Sequence, residues 1–159
     1  MAKDNKTNVM RILEKEKIPY HPYFYEHGDT AVDGISVAKQ LGQPLDQVFK
    51  TLVTRGSSKE FYVFVIPVAK ELNLKAAARS VGEKSVEMIH VNEINKVTGY
   101  IRGGCSPIGM KKKYVTVVDS SCLSQEKIIF SGGKIGTQVE VEPQALLNFI
   151  GATTADLAE

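Results

Sequence analysis

Three features of the chain present groups that could act on a substrate. The first is Lys50. In the run Val48–Thr54, strand alternation puts it on one face with Val48 and Leu52 and leaves Phe49, Thr51 and Val53 on the other. Both faces are otherwise mostly apolar, so the ammonium either snorkels to a sheet edge or stays partly desolvated beside an anionic partner. The second is Gly103-Gly104-Cys105-Ser106-Pro107-Ile108-Gly109. Glycines let backbone approach a ligand closely and aim N–H groups at a developing oxyanion, although a purely structural turn has the same composition. The third is Phe130-Ser131-Gly132-Gly133-Lys134-Ile135-Gly136, small residues at a strand end with a hydroxyl and a lysine. It lacks the full GxxxxGK[ST] spacing and no clear helix follows it, which argues against a nucleoside triphosphatase.

Positive charge brackets the first loop, with Arg102 before it and Lys111, Lys112 and Lys113 after it, and Lys134 lies in the other loop. Such a cluster suits phosphate contacts; a solvated charge run is the plain alternative. Cys105 as a nucleophile would need a base, and none of His21, His27 or His90 stands at a spacing that implies one. A small buried cysteine is the alternative. Histidines, cysteines and carboxylates make no zinc or calcium pattern, so neither metal nor cofactor is expected.

The elements that must position these groups follow from periodicity and punctuation. Asn5 or Thr7 caps a helix carrying Val9, Ile12, Leu13 and Glu16 that runs to the Ile18-Pro19 step. Tyr20–Tyr25 reads as a strand, Gly34–Leu41 as a short helix closed by Gly42, and Pro44–Gln47 as a turn. Val48–Thr54 and Glu60–Pro67 form a hairpin through Arg55–Lys59. Asn73 caps a helix over Leu74–Val81 stopped by Gly82; Ser85–His90 returns as a strand and Val91–Val97 as a helix. Tyr114–Asp119, Lys127–Ser131 and Thr137–Val141 have strand composition, and Pro143 opens a last helix through Ile150, stopped by Gly151. Strands outnumber helices without strict alternation, which indicates α+β rather than a doubly wound sheet.

A chain of 159 residues with 43% apolar and 24% charged residues fits one soluble domain, residues 1–159. The opening Met1–Met10 is polar and no segment is apolar enough to span a bilayer, so a cytoplasmic protein is expected. Cys105 and Cys122 are too few and too ill-spaced for a disulfide framework. A net charge of +2 does not by itself argue for nucleic acid.

Phe49-Lys50-Thr51-Leu52, Thr98-Gly99-Tyr100 leading into Gly103–Gly109, and Ser131-Gly132-Gly133-Lys134 occur in that order, supported by Tyr25-Glu26-His27 and Val65-Ile66-Pro67-Val68-Ala69. Together they resemble the YbaK/EbsC family of Cys-tRNA(Pro) deacylases, relatives of the editing domain inserted in bacterial prolyl-tRNA synthetases. The resemblance implies a mixed, mostly antiparallel, barrel-like sheet flanked by helices. It implies catalysis by Lys50, Gly103 and Gly104, with the Gly103-to-Pro107 loop facing the scissile ester and Lys50 contacting the terminal adenosine or its phosphate. Tyr25, Thr51, Cys105, Ser106, Pro107, Ser131, Gly132 and Gly133 would hold substrate, and Arg102, Lys111, Lys112, Lys113 and Lys134 would contact tRNA.

The implied substrate is tRNA(Pro) charged with cysteine, with Cys-tRNA(Cys) a further one, and the implied partner is prolyl-tRNA synthetase in a ternary complex; neither DNA nor membrane is expected. An aminoacyl ester is labile, so backbone donors and a positioned attacking group suffice without a protein triad. In the family the substrate's own thiol attacks the ester to give a thiolactone, which alanine and proline cannot do. The stretch Gly28–Gly34 lacks the phenylalanine that some members place over the pocket, which leaves open a preference for another small amino acid. The other readings are a non-catalytic aminoacyl-tRNA binding module and a thiol hydrolase using Cys105.

Overall fold

The computed structural model describes residues 6–28 and 32–159. Asn5, one expected cap of the first helix, and the 29–31 part of the Gly28–Gly34 stretch lie outside the described residues.

Helix α1, Asn8–Lys15, is capped by Thr7, whose Oγ1 accepts from Met10 N at 3.2 Å. It ends earlier than the Ile18-Pro19 step because Lys17 adopts φ 59° and Ile18 N reaches back to Leu13 O at 2.9 Å, a left-handed closure that stops the helix before proline can. Strand β1 is Tyr20–Phe24 and helix α2 is Gly34–Leu41, closed as expected by Gly42 at φ 70°. The hairpin pairs β2, Phe49–Gly56, with β3, Phe61–Pro67, so Arg55 and Gly56 belong to the strand instead of the turn. Helix α3 is Leu74–Ser80 with Asn73 as its cap.

Strand β4 shortens to Val86–Met88, and the following helix divides into a 3-10 turn over Val91–Glu93 and α4, Ile94–Thr98. Strands β5, Val115–Asp119, β6, Ile128–Ser131, and β7, Thr137–Val141, precede α5, Pro143–Ile150. A 3-10 turn at Ser120–Ser124 and a final strand β8, Thr153–Ala155, were not foreseen from the pattern.

The strands form two sheets, antiparallel β1-β7-β6 and mixed β4-β2-β3-β5-β8, in which β3–β5 and β5–β8 are parallel. The α+β class holds, but the sheet does not close into a barrel: the two sheets meet at a seam where Val48 bridges Ile129. Strand β3 explains the core. Val63, Phe64, Val65 and Ile66 are all fully buried, with Val63 and Val65 facing α1 and the smaller sheet while Phe64 and Ile66 face α3. A strand covered on both faces reads as a continuous apolar run, as this one does. Ala38, Val48, Val68 and Ile129 form a separate cluster that docks α2 over the seam.

Candidate active site

A cavity of about 160 Å³ opens at this seam. The larger sheet contributes Val48, Phe49, Lys50 and Thr51, the smaller sheet Ser131, Thr137 and Gln138, the first glycine loop Gly103 and Cys105, and the edges are closed by Tyr25, Val32, Gly34, Val37 and Val68. Lys50 and Thr51 are successive residues of β2 and point to opposite faces, and both border the cavity. The space is well below the about 300 Å³ at which drug-sized sites begin. It suits a small side chain with its ester.

Lys50 is half-buried and makes no hydrogen bond or ion pair among the described residues. Burial lowers its pKa, and the charge of Glu71 partly opposes that shift. The cation is thus neither snorkelled into bulk water nor locked to a carboxylate, which leaves it available to an incoming anion. Thr51 borders the cavity, and its Oγ1 is buried with no partner among the described residues.

The Gly103–Gly109 loop is held from both sides. Thr98 accepts Lys111 N on its carbonyl at 2.9 Å and Tyr100 N on its hydroxyl at 3.0 Å, while Tyr100 OH donates to Ile108 O. Burial raises the Tyr100 phenol to about 12, so it remains a donor. Gly103 has φ 87°, a conformation that a side chain resists. Within the loop the backbone donors differ. Gly104 N–H donates to Ile101 O at 2.9 Å and is engaged in the turn, whereas those of Gly103, Cys105 and Ser106 meet no acceptor among the described residues. Unpaired amides, those of Gly103 and Cys105, therefore flank Gly104, which itself packs against the second loop: a Cβ there would lie 3.3 Å from Lys134 Cα.

Cys105 borders the cavity, but burial pushes its thiol up to about 11, with the Thr98 hydroxyl opposing only in part. None of the three histidines lines the cavity. The arrangement offers no thiolate and no base for one.

The remaining expected residues divide. Tyr25, Thr51, Cys105 and Ser131 border the cavity with Lys50 and Gly103. Ser106 is fully buried behind the loop, and Pro107 turns away into a cleft of about 260 Å³ shared with Lys112, Lys113, Tyr114 and Phe149. Gly132 and Gly133 lie outside the lining and shape the β6–β7 turn, where Ser131 Oγ accepts from Gly133 N at 3.1 Å. Arg102, Lys111, Lys112, Lys113 and Lys134 are all exposed, on at least two patches: Lys134 flanks a hollow beside Tyr25 and His27. The valine wall and Gln138 were not anticipated. Val37 lies in α2 and Gln138 in β7, while Val32, Val48 and Val68 lie outside the named elements, and no local pattern sets any of them apart.

Among the described residues no three His, Cys, Asp or Glu side chains are grouped to hold a metal, and no helix is long and apolar enough to cross a membrane.

Residues 29–149 match the family model of the aminoacyl-tRNA editing domain. The chain belongs to this family. An Enterococcus faecalis protein named as a Cys-tRNA(Pro)/Cys-tRNA(Cys) deacylase, EbsC, is 43% identical to this editing domain over 152 residues, 96% of this chain and 93% of its own. The crystal structure of hypothetical protein APE2540 superposes on the editing domain with TM-score 0.86 at 27% identity, covering 96% of this chain and all of that one. A crystal structure named for a trans-editing enzyme of prolyl-tRNA synthetase gives TM-score 0.79 at 25% identity, over 95% of this chain and 96% of that one.

Proposed function

We propose that this editing domain is a deacylase that removes cysteine from mischarged Cys-tRNA(Pro), with Cys-tRNA(Cys) as a second substrate. The observation that carries the reading is the cavity of about 160 Å³ that joins Lys50 to the Gly103 loop, because it is small enough to select the aminoacyl group and places a cation beside unpaired backbone donors. The name of the Enterococcus relative supports the same substrate.

In this reading the cysteine side chain is its own nucleophile. Its sulfur attacks the ester carbonyl carbon, the C–O bond to the terminal ribose breaks, the ribose oxygen leaves with the thiol proton, and a thiolactone results. The protein's part is placement and charge: the Gly103 and Cys105 amides receive the carbonyl oxygen as it becomes negative, and Lys50 holds the terminal nucleotide through its phosphate. Residues Tyr25, Thr51 and Ser131 border the substrate, and Arg102, Lys111, Lys112, Lys113 and Lys134 meet the tRNA backbone. Cysteine and proline are too close in size for one pocket to separate them strongly, which is why a second site that destroys the error is useful. Selection of tRNA(Pro) is supplied by prolyl-tRNA synthetase in a ternary complex, in the cytoplasm.

The test is a deacylation panel of Cys-, Ala-, Ser- and Pro-charged tRNAs with the sulfur product identified. Rapid loss from Cys-tRNA with a thiolactone product is expected. Binding of the tRNAs with every ester left intact would refute the enzyme.

A further inference from the structure

One polar side chain at the cavity is not accounted for by Lys50 or by the glycine loops. Gln138 on β7 is 5% exposed and borders the cavity. Its Oε1 accepts from Gln43 Nε2 at 2.8 Å. Gln43 directly follows Gly42, and its own backbone N–H is tied to Ala38 O at 2.8 Å, so the amide that grips Gln138 hangs from the closed end of α2. The pair links helix and sheet across the seam.

The two amides are satisfied unequally. Gln43 Oε1 is buried with no partner, while Gln138 Nε2 makes no hydrogen bond among the described residues. With Oε1 engaged, the group that Gln138 has left to offer is an N–H donor. A protonated α-amine carries only donors and cannot pair with it; the acceptors on an aminoacyl ester are the carbonyl oxygen and the side-chain sulfur.

We infer that Gln138 contacts the bound aminoacyl group, donating from Nε2 to one of these acceptor atoms, and that Gln43 is a positioning residue fixing the amide in its donating orientation. The inference rests on the deacylase reading above, and wild-type turnover of Cys-tRNA(Pro) separates the two: without it that reading fails, and analogue binding still reports on Gln138.

The experiment compares wild type, Gln138→Leu, Gln43→Leu and the double variant in kinetics on Cys-tRNA(Pro) and in thermal melting. Gln138→Leu still melts in one cooperative transition, a few degrees lower because Gln43 Nε2 loses its acceptor, and lowers kcat/KM about tenfold, while Gln43→Leu lowers it about threefold, the range of one neutral hydrogen bond. Because Gln43 acts through Gln138, the double variant is no worse than Gln138→Leu alone. Affinity for non-hydrolysable amide-linked cysteinyl and alanyl analogues tells the acceptor: a loss confined to the cysteinyl form identifies sulfur, an equal loss the carbonyl oxygen. Unchanged kcat/KM and analogue affinity in Gln138→Leu, or losses that multiply in the double variant, would overturn the inference.

Discussion

The backbone of Gly104 lies directly against that of Lys134: a Cβ built on Gly104 would sit 3.3 Å from Lys134 Cα and 3.2 Å from Ile135 N. The two glycine-rich loops, thirty residues apart in the chain, are one packed unit, and each supplies a wall of the cavity through Gly103 and Ser131. Backbone cannot rotate aside as a side chain can. Gly104→Ala therefore wedges the loops apart, destabilising by about 1–3 kcal/mol and lowering deacylation more than its melting shift accounts for. Full activity at a normal melting temperature would show that the loops move independently.

Lys50→Met separates the role of the cation from folding. Its removal lowers turnover about a hundredfold, the scale set by misplacing the ester by an ångström or so against its donors. The folded pKa of Lys50 lies below its unfolded value, so burial of the ammonium penalises the fold fully at neutral pH, and stability rises as pH climbs through the folded pKa toward 10.5. Lys50→Met loses that alkaline rise and melts no lower than wild type at pH 7. A variant that retains turnover removes Lys50 from the chemistry.

Cys105→Ala keeps deacylation within about threefold, a packing-sized effect of under 1 kcal/mol. With the thiol raised to about 11, Cys105 also reacts slowly with iodoacetamide at pH 8 until the protein unfolds. Abolished turnover in the alanine variant would restore the thiol-hydrolase reading.

Reversing Lys111, Lys112 and Lys113 to glutamate weakens tRNA binding and flattens its dependence on salt. Every phosphate that no longer meets a lysine takes about 0.7–0.9 off the slope of log K against log salt. Equal slopes for variant and wild type would mean that these exposed lysines meet no phosphate. Lys134→Glu, on a different patch, reports separately on that side of the tRNA contact.

Glu83 provides an acid-stability marker far from the cavity. It accepts hydrogen bonds from Ser57, Ser58 and Tyr62, of which the Ser58 hydroxyl does most to hold its carboxyl down at about 2. A depressed carboxylate contributes stability above its unfolded pKa of 4.5, and that contribution disappears as pH falls through about 2. Glu83→Gln melts with less dependence on pH between 4.5 and 2 than wild type; an unchanged acid profile would locate the sensitive group elsewhere.

Much of the site was legible because its parts break local rules. A lysine in an apolar strand and glycines crowded into loops are anomalies visible without a fold, and Gly42 and Gly151 stopped their helices where expected. What stayed hidden depends on contacts distant in sequence. Gln43 and Gln138 are unremarkable until α2 and β7 meet, and β8 is three residues long, stabilised by parallel pairing with β5 that no alternation announces. Nor could composition tell which loop amides are engaged: Gly104 and its neighbours differ only in whether Ile101 O is within reach.

Strand β1 pairs with β7, Tyr20 opposite Val141, and this has a consequence for how the protein is made. The partners are roughly 120 residues apart, so at about 5–20 residues per second the first strand waits about 6–24 s on the ribosome for its mate. Until then an unpaired strand edge is open to other chains. The smaller sheet, and with it the wall made by Ser131, Thr137 and Gln138, is assembled only after β7 has been translated, so a truncated product stalled before β7 carries Lys50 yet lacks that side of the site.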